Sequence, residues 1–279
     1  MKMITLDRSR LPYPLKHSYP EAMTIGIAAH ARESFLGKPG SRGMIVFCCD
    51  WLAGDDYSGS ETVDKFDETF APGLACVVAG TITDARDLKS LCRKHIGLTR
   101  LDGYDLELAL EQARQEFMER LTKKKQGGSS AEILLGGFLE SGPTIFLVNA
   151  GQVHEIVTPA VGVIGIGSIF ADPLLRWRQA HEPVDLLSNA YDTVYRIYEA
   201  KRFSETCRDV GKATTVALMR PGEKLEDYFR VDFLPHAWLE FLGAQYERIG
   251  PQKLPKKREY FGDLPGVIRD TSGHRGGNA

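Results

Sequence analysis

The chain has 279 residues, a length that fits one large domain or one domain with appendages. Its hydrophobic content of 43%, charged content of 26% and net charge of −2 are typical of a globular protein and argue against a nucleic-acid-binding surface. Charged residues interrupt every hydrophobic stretch, so we expect no membrane span. The segment 1–19 lacks the apolar run of a signal peptide, so a cytoplasmic location is expected.

Neither the cysteines nor the glycine-rich segment indicates a metal or a cofactor. The cysteines are odd in number and lack CxxC or Cys/His spacing, which predicts reduced, buried thiols and no metal site. Only Cys207 is left open, because it lies near a loop that could border a cleft. The run from Gly162 to Gly167 lacks the GxGxxG spacing of a dinucleotide-binding loop, so no cofactor is expected.

Hydrophobic periodicity divides the chain into strands and helices. An irregular arm is expected over 1–22, and a hairpin turn over 32–42 joins the first two strands. Helices are expected from Thr83 onward and over about 105–125, 173–180 and 183–198, each with apolar residues at helical spacing. Strands are expected over 23–31, 44–49, 74–79, 132–138, 144–149, 153–157, 161–166 and 213–219.

This order of elements predicts an α+β fold. Two antiparallel sheets, each covered on its outer face by a pair of helices, form a four-layer α-β-β-α sandwich. We expect this domain to occupy 23–222, after the arm 1–22. The extension 223–279 is expected to hold one docking helix within 232–246 and a mobile tail rich in Pro, Gly and charge.

Four segments together resemble the opening of a proteasome β-subunit of a divergent bacterial type. They are MTIGIAAH (23–30), GMIVFCCD (43–50), SETVDKF (60–66) and GLACVVAG (73–80). Proteasome β-subunits are threonine peptidases of the N-terminal nucleophile hydrolase class. The resemblance covers roughly 23–220 and implies the same four-layer fold.

The resemblance also implies a set of site residues. In the family, an N-terminal threonine exposed by removal of a propeptide is the nucleophile, its own α-amine takes the hydroxyl proton, and an aspartate and a lysine set the charge balance. Asp50 matches that aspartate, and Gly80 matches the glycine whose amide forms the oxyanion hole. Ser129 matches the serine that hydrogen-bonds the terminal amine, and Asp209 matches the acid before the last core strand.

Two positions depart from the family pattern. Aligning SETVDKF with the family's SKTVKKI puts Glu61 at the lysine position and leaves Lys65 as a solvent-facing charge. Like charges on Glu61 and Asp50 about 4 Å apart would cost roughly 4 kcal/mol at a dielectric constant of about 20. Thr24 is the candidate nucleophile, but aligning Gly26 with the family places Ala22 at the nucleophile position.

Three functions therefore remain open. The departures favour a degenerate, non-proteolytic subunit that self-associates as a homo-oligomeric scaffold. The alternative is an active threonine-type peptidase or amidohydrolase that acts on a peptide or protein substrate through Thr24 after processing. A module that binds a peptide or small molecule in the cleft around Asp50 and Gly80 is the third. No nucleic acid or membrane partner is expected.

Overall fold

The computed structural model describes residues 24–32, 43–50, 65–97, 102–139, 142–157, 161–181, 190–207, 210–222 and 229–251. Within these residues the strands are β1 Gly26–Ala31, β2 Met44–Asp50, β3 Phe66–Ala71, β4 Leu74–Ala79, β5 Glu132–Leu139, β6 Gly142–Asn149, β7 Val153–Glu155, β8 Val161–Ile164, β9 Thr214–Pro221 and β10 Phe229–Phe233. The helices are α1 Ile82–Ile96, α2 Gly103–Lys123, α3 Ser168–His181, α4 Ala190–Ser204 and α5 His236–Ile249.

The strands form two antiparallel sheets of five strands each. Sheet 1 has the order β10-β9-β2-β1-β8, and sheet 2 has the order β3-β4-β5-β6-β7. Every residue of β2 and β4 is buried, which agrees with their apolar sequences, Asp50 at the end of β2 being the one charged residue of the two strands. The N-terminus of α2 is also set by its local sequence: the Asp102 side chain caps the helix by accepting a hydrogen bond from the Asp105 amide at 2.9 Å.

Three apolar layers hold the sandwich together. Between the sheets, Phe47 of β2 packs in one cluster with Val77 and Leu134 of sheet 2. Outside sheet 2, α1 and α2 cover the strands, and outside sheet 1 the cover comes from α3, α4 and α5. The order of layers is therefore helix, sheet, sheet, helix, and the predicted α+β sandwich is confirmed.

Gly136 shows how closely the two sheets approach. A Cβ atom on this β5 glycine would lie 2.6 Å from Cζ of Phe47, so the aromatic ring occupies the space of the missing side chain.

Some element predictions need correction. The region after 222 contributes strand β10, which pairs with β9 in sheet 1, in addition to the predicted helix, which begins at His236. Strand β3 was also absent from the predicted strands. The arm 1–22, the turn residues 33–42 and the tail from 252 onward lie outside the described residues, and the division into three regions stays a prediction.

All five cysteines are free thiols. Four are buried, and Cys207 is partly exposed. Burial raises the pKa of the Cys48 and Cys76 thiols far above the ordinary value and raises that of Cys92 to about 12. In the part of the chain that the structure describes, no helix combines the length and the apolar character needed to span a membrane.

Candidate active site

Thr24, Asp50 and Lys65 meet between the two sheets. The Lys65 ammonium lies 2.6 Å from Oδ1 of Asp50 and also donates a hydrogen bond to the Thr24 hydroxyl. The Thr24 hydroxyl donates in turn to Oδ1 of Asp50 at 2.5 Å. All three residues are buried, with exposed fractions of 1%, 1% and 6% in chain order. A hydroxyl, a carboxylate and an ammonium thus form one compact, water-poor cluster.

Strand pairing explains how residues so far apart in the chain come together. Thr24 lies two residues before the start of β1, and Asp50 ends β2, which pairs with β1 in antiparallel register. Lys65 comes from sheet 2: it precedes β3, and its carbonyl accepts a hydrogen bond from the Val78 amide of β4 at 2.9 Å. The site therefore depends on both sheets.

Asp50 is held on both carboxylate oxygens. Besides its side-chain partners, Oδ1 accepts a hydrogen bond from the Ile25 amide at 3.3 Å, and Oδ2 accepts one from the Gly211 amide at 2.8 Å. Charge-assisted bonds of this kind are stronger than neutral ones, so they fix the carboxylate in place. Gly211 belongs to the segment that leads into β9, and no motif in the sequence indicates its contact with Asp50.

The site alters the ionisation of Lys65. Burial lowers the pKa of its ammonium, and the charge of Asp50 together with their hydrogen bond opposes this lowering. The net direction is downward, so Lys65 releases its proton more readily than a lysine in water.

Two glycines hold the main chain of Thr24. The Gly167 amide donates to the Thr24 carbonyl at 3.2 Å. Gly165 has a φ of +83°, and a Cβ atom there would lie 2.2 Å from the same carbonyl oxygen, so only glycine fits. The Gly165 amide is itself bound by the Glu132 carboxylate at 2.7 Å.

The turn at Gly80 lies next to this arrangement. A Cβ atom on Gly165 would also lie 3.2 Å from Cβ of Ala79, the residue before Gly80. Gly80 has a φ of +92°, and a Cβ atom there would lie 2.0 Å from the Ser130 carbonyl oxygen. The turn borders a cleft of about 530 Å³ whose lining includes Gly80, Ser129, Glu132, Gly165 and Ser168.

The sequence of the chain was compared with models of protein families. The model described as "Proteasome subunit" matches residues 40–212, which is more than half of the chain.

The chain belongs to the proteasome subunit family.

A search of curated proteins found no matching relative. The matched region contains Asp50, Lys65, Gly80 and Ser129, whereas Thr24 precedes it.

The position of Lys65 differs from the one expected from the sequence. The expectation that Lys65 faces solvent is wrong, because its ammonium is buried against Asp50. A lysine therefore lies beside Asp50, whereas the assignment of the family's lysine position to Glu61 stays a prediction. Glu61 itself lies outside the described residues. The signal was present in the sequence: the last lysine of the family's SKTVKKI coincides with Lys65.

The remaining predicted residues have mixed outcomes. Ser129 donates to the Asp84 carboxylate at 2.7 Å and accepts a hydrogen bond from the Ala131 amide at 3.1 Å, so its hydroxyl supports the wall of the cleft. Its proposed contact with the terminal amine stays a prediction. Asp209 lies outside the described residues. In the described ranges, no group of three or more His, Cys, Asp or Glu side chains is placed to hold a metal ion.

Proposed function

We propose that this proteasome-family chain is a threonine-type peptidase or amidohydrolase that uses the Thr24 hydroxyl once the chain has been cut between Met23 and Thr24. One observation carries the proposal: a buried lysine ammonium contacts both the Thr24 hydroxyl and Asp50. A positive charge at that place favours the alkoxide that must form on a nucleophilic threonine.

The reaction follows from these groups. The freed α-amine of Thr24 accepts the hydroxyl proton as the oxygen attacks the substrate carbonyl. The resulting oxyanion is stabilised by a backbone amide at the Gly80 turn. The C–N bond then breaks, the leaving amine takes the proton from the Thr24 ammonium, and an ester on Thr24 remains. Water hydrolyses this ester, regenerates the hydroxyl and releases a carboxylic acid.

The uncut chain has the features of an inactive precursor. The Thr24 hydroxyl is buried and donates a hydrogen bond to Asp50, so in the uncut chain it is not available to a substrate. An amide nitrogen at Thr24 is not basic, because its lone pair is delocalised into the carbonyl group. Cutting before Thr24 supplies the missing base.

The second candidate is a non-proteolytic, self-associating subunit. It is favoured by the same burial of Thr24, which then serves only to bridge Asp50 and Lys65. Under this alternative the charge pair stabilises the fold. Membership of a family whose subunits assemble supports a homo-oligomer under either candidate.

The test measures the mass and the reactivity of the protein isolated from its native source. A peptide epoxyketone forms a six-membered ring with a hydroxyl and an amine on adjacent carbons, so it is specific for an N-terminal threonine or serine. We expect an intact mass that begins at Thr24 and one added probe per chain. Thr24→Ala abolishes labelling, whereas Thr24→Ser retains it.

A matched control separates loss of the nucleophile from loss of the fold. Thr144→Ala removes the hydroxyl of another buried threonine, whose contact is with the Gly142 carbonyl, and should leave labelling intact. A native chain that begins upstream of Thr24 and takes up no probe contradicts the peptidase and supports the scaffold.

A further inference from the structure

Lys201 is a fully buried lysine behind the site, and the proposed reaction does not use it. It lies on α4, and its side chain has no exposed surface. Its ammonium donates to the Glu205 carboxylate at 2.5 Å and to the Lys212 backbone carbonyl at 2.9 Å. Burying a charge is costly unless it is paired, so retention of a lysine here requires a reason.

The contact with Lys212 connects Lys201 to Asp50. Lys212 directly follows Gly211, whose amide holds Oδ2 of Asp50 at 2.8 Å. Only the φ and ψ angles of Gly211 and Lys212 separate the Gly211 amide from the Lys212 carbonyl. A hydrogen bond that fixes the carbonyl therefore also restricts where the amide can lie. The ammonium of Lys201 thus fixes the donor that orients Asp50 toward Lys65 and Thr24.

The same helical turn also supports Thr24. The Ser204 hydroxyl, on the last turn of α4, donates to the Gly167 carbonyl at 3.0 Å. The Gly167 amide is the group that holds the Thr24 carbonyl. Ser204 therefore supports the contact between Gly167 and Thr24, and Lys201 supports the contact between Gly211 and Asp50. Both lie on one helical turn, and of the two only Lys201 is charged.

The charge of Lys201 reaches the site as well. Burial is the main cause of the lowered pKa of Lys65, Asp50 opposes it, and the positive charge of Lys201 adds to the lowering. Among the described residues, the charged and titratable groups around the two lysines include Asp50, Glu205, Cys48, Cys49 and Tyr198, and Arg202 pairs with the second carboxylate oxygen of Glu205.

We propose that Lys201 is a positioning residue of the Thr24–Asp50–Lys65 site. It holds the Gly211 amide against Asp50 through the Lys212 carbonyl, and it places a second positive charge behind Lys65. The consequence for the reaction rate rests on the proposed function, whereas the consequences for the geometry and ionisation of the site do not.

Four variants separate the two roles of Lys201. Lys201→Met removes the charge and the donor, Lys201→Gln removes the charge and keeps a donor, and Lys201→Arg keeps both. Ser204→Ala is the comparison variant for the charge alone, because it removes an uncharged buried hydrogen bond from the same turn and leaves the charge of Lys201 in place. Circular dichroism and thermal unfolding establish which variants fold.

The first readout is independent of activity. NMR follows hydrogen exchange of the Gly211 amide and the titration of the Lys65 side chain in the full chain. In Lys201→Met we expect about fivefold faster Gly211 exchange, as for loss of one buried hydrogen bond. We also expect the Lys65 titration to move to higher pH in Lys201→Met and Lys201→Gln, and to stay in place in Lys201→Arg and Ser204→Ala.

The second readout is the pH dependence of epoxyketone labelling of the processed protein. Because a nearby cation lowers the pKa of any neighbouring base, its loss should move the acid limb of the profile to higher pH in the two uncharged variants only. If Lys201→Met does not fold, the comparison of Lys201→Gln with Lys201→Arg decides the question.

The outcomes distinguish the two proposals. Unchanged Gly211 exchange and unchanged Lys65 titration in the uncharged variants overturn the role of Lys201, whatever the labelling result. Shifted NMR signals in a protein that the probe never labels uphold the role of Lys201 in positioning the cluster and count against the peptidase.

Discussion

At the scale of single residues, Asp50 organises the cluster. It accepts hydrogen bonds from the Thr24 hydroxyl, the Lys65 ammonium and the amides of Ile25 and Gly211. The Thr24 hydroxyl and the Ile25 amide lie just before β1, and the Gly211 amide lies before β9. The fourth donor, the Lys65 ammonium, comes from the residue just before β3 of sheet 2. A neutral side chain of the same shape cannot replace these interactions.

Asp50→Asn tests this role. The variant leaves the Lys65 charge buried without its counter-ion, so we expect a loss of about 3 kcal/mol in the free energy of unfolding. Urea denaturation measures it. The matched control is Glu111→Gln, which breaks the more exposed Glu111–Arg114 pair and should cost less than about 1 kcal/mol. Equal losses in the two variants would contradict the prediction.

The sequence singles out Asp50 but does not predict that Lys65 lies against it. Asp50 ends an unbroken apolar run, which is a strong local signal. Lys65 has no such signal, because three successive charged or polar residues follow Phe66 and give the segment the look of a surface. Its burial arises from the packing of two sheets, which no short window of sequence contains.

At the scale of elements, two tight turns define the cleft. Gly80 follows β4 and Gly165 follows β8, and both have positive φ values, of +92° and +83°. Each also lacks room for a side chain, since the nearest obstacle is a backbone carbonyl oxygen. Such obstacles cannot move aside as a flexible side chain can.

Gly80→Ala isolates the cost of this close approach. The variant must accommodate a Cβ atom against the Ser130 carbonyl in addition to the positive φ. The control is Gly97→Ala at the end of α1, where φ is +72° and no atom lies within 4 Å. We expect about 1 kcal/mol of destabilisation for the control and roughly 1–3 kcal/mol more for Gly80→Ala, measured by denaturant unfolding. Similar values for both would show that sterics are unimportant here.

The apolar core strands were predictable, but two peripheral strands were not. β4 is found at its predicted bounds, because a continuous apolar run of strand length has few other interpretations. In β3 only Phe66 and Phe70 are buried, and in β10 no residue is. Their positions depend on pairing with β4 and β9, so tertiary contacts decide them.

At the scale of the whole molecule, the distance between the sheets is set by large residues facing glycines. The Phe47 ring lies where a side chain at Gly136 would stand. Because Lys65 and Asp50 belong to opposite sheets, this spacing also determines how they meet.

A double-mutant cycle measures that complementarity. Gly136→Ala alone should cost about 1–3 kcal/mol, because the new methyl group collides with Phe47. In a Phe47→Leu background, which lacks the colliding ring atoms, the cost should fall by about 1 kcal/mol in urea unfolding. Gly127→Ala, at a position with open space, should show no coupling to Phe47→Leu, and equal coupling at both glycines would refute the account.

The distribution of thiols has a practical consequence. Four of the five sulfur atoms are enclosed by the apolar layers, so a bulky alkylating reagent meets only Cys207 in the folded protein. Cys207 lies three residues after Ser204 and four before Gly211, in the stretch of chain between α4 and the amide that binds Asp50. A fluorophore attached there reports on the neighbourhood of Asp50 without any engineered substitution.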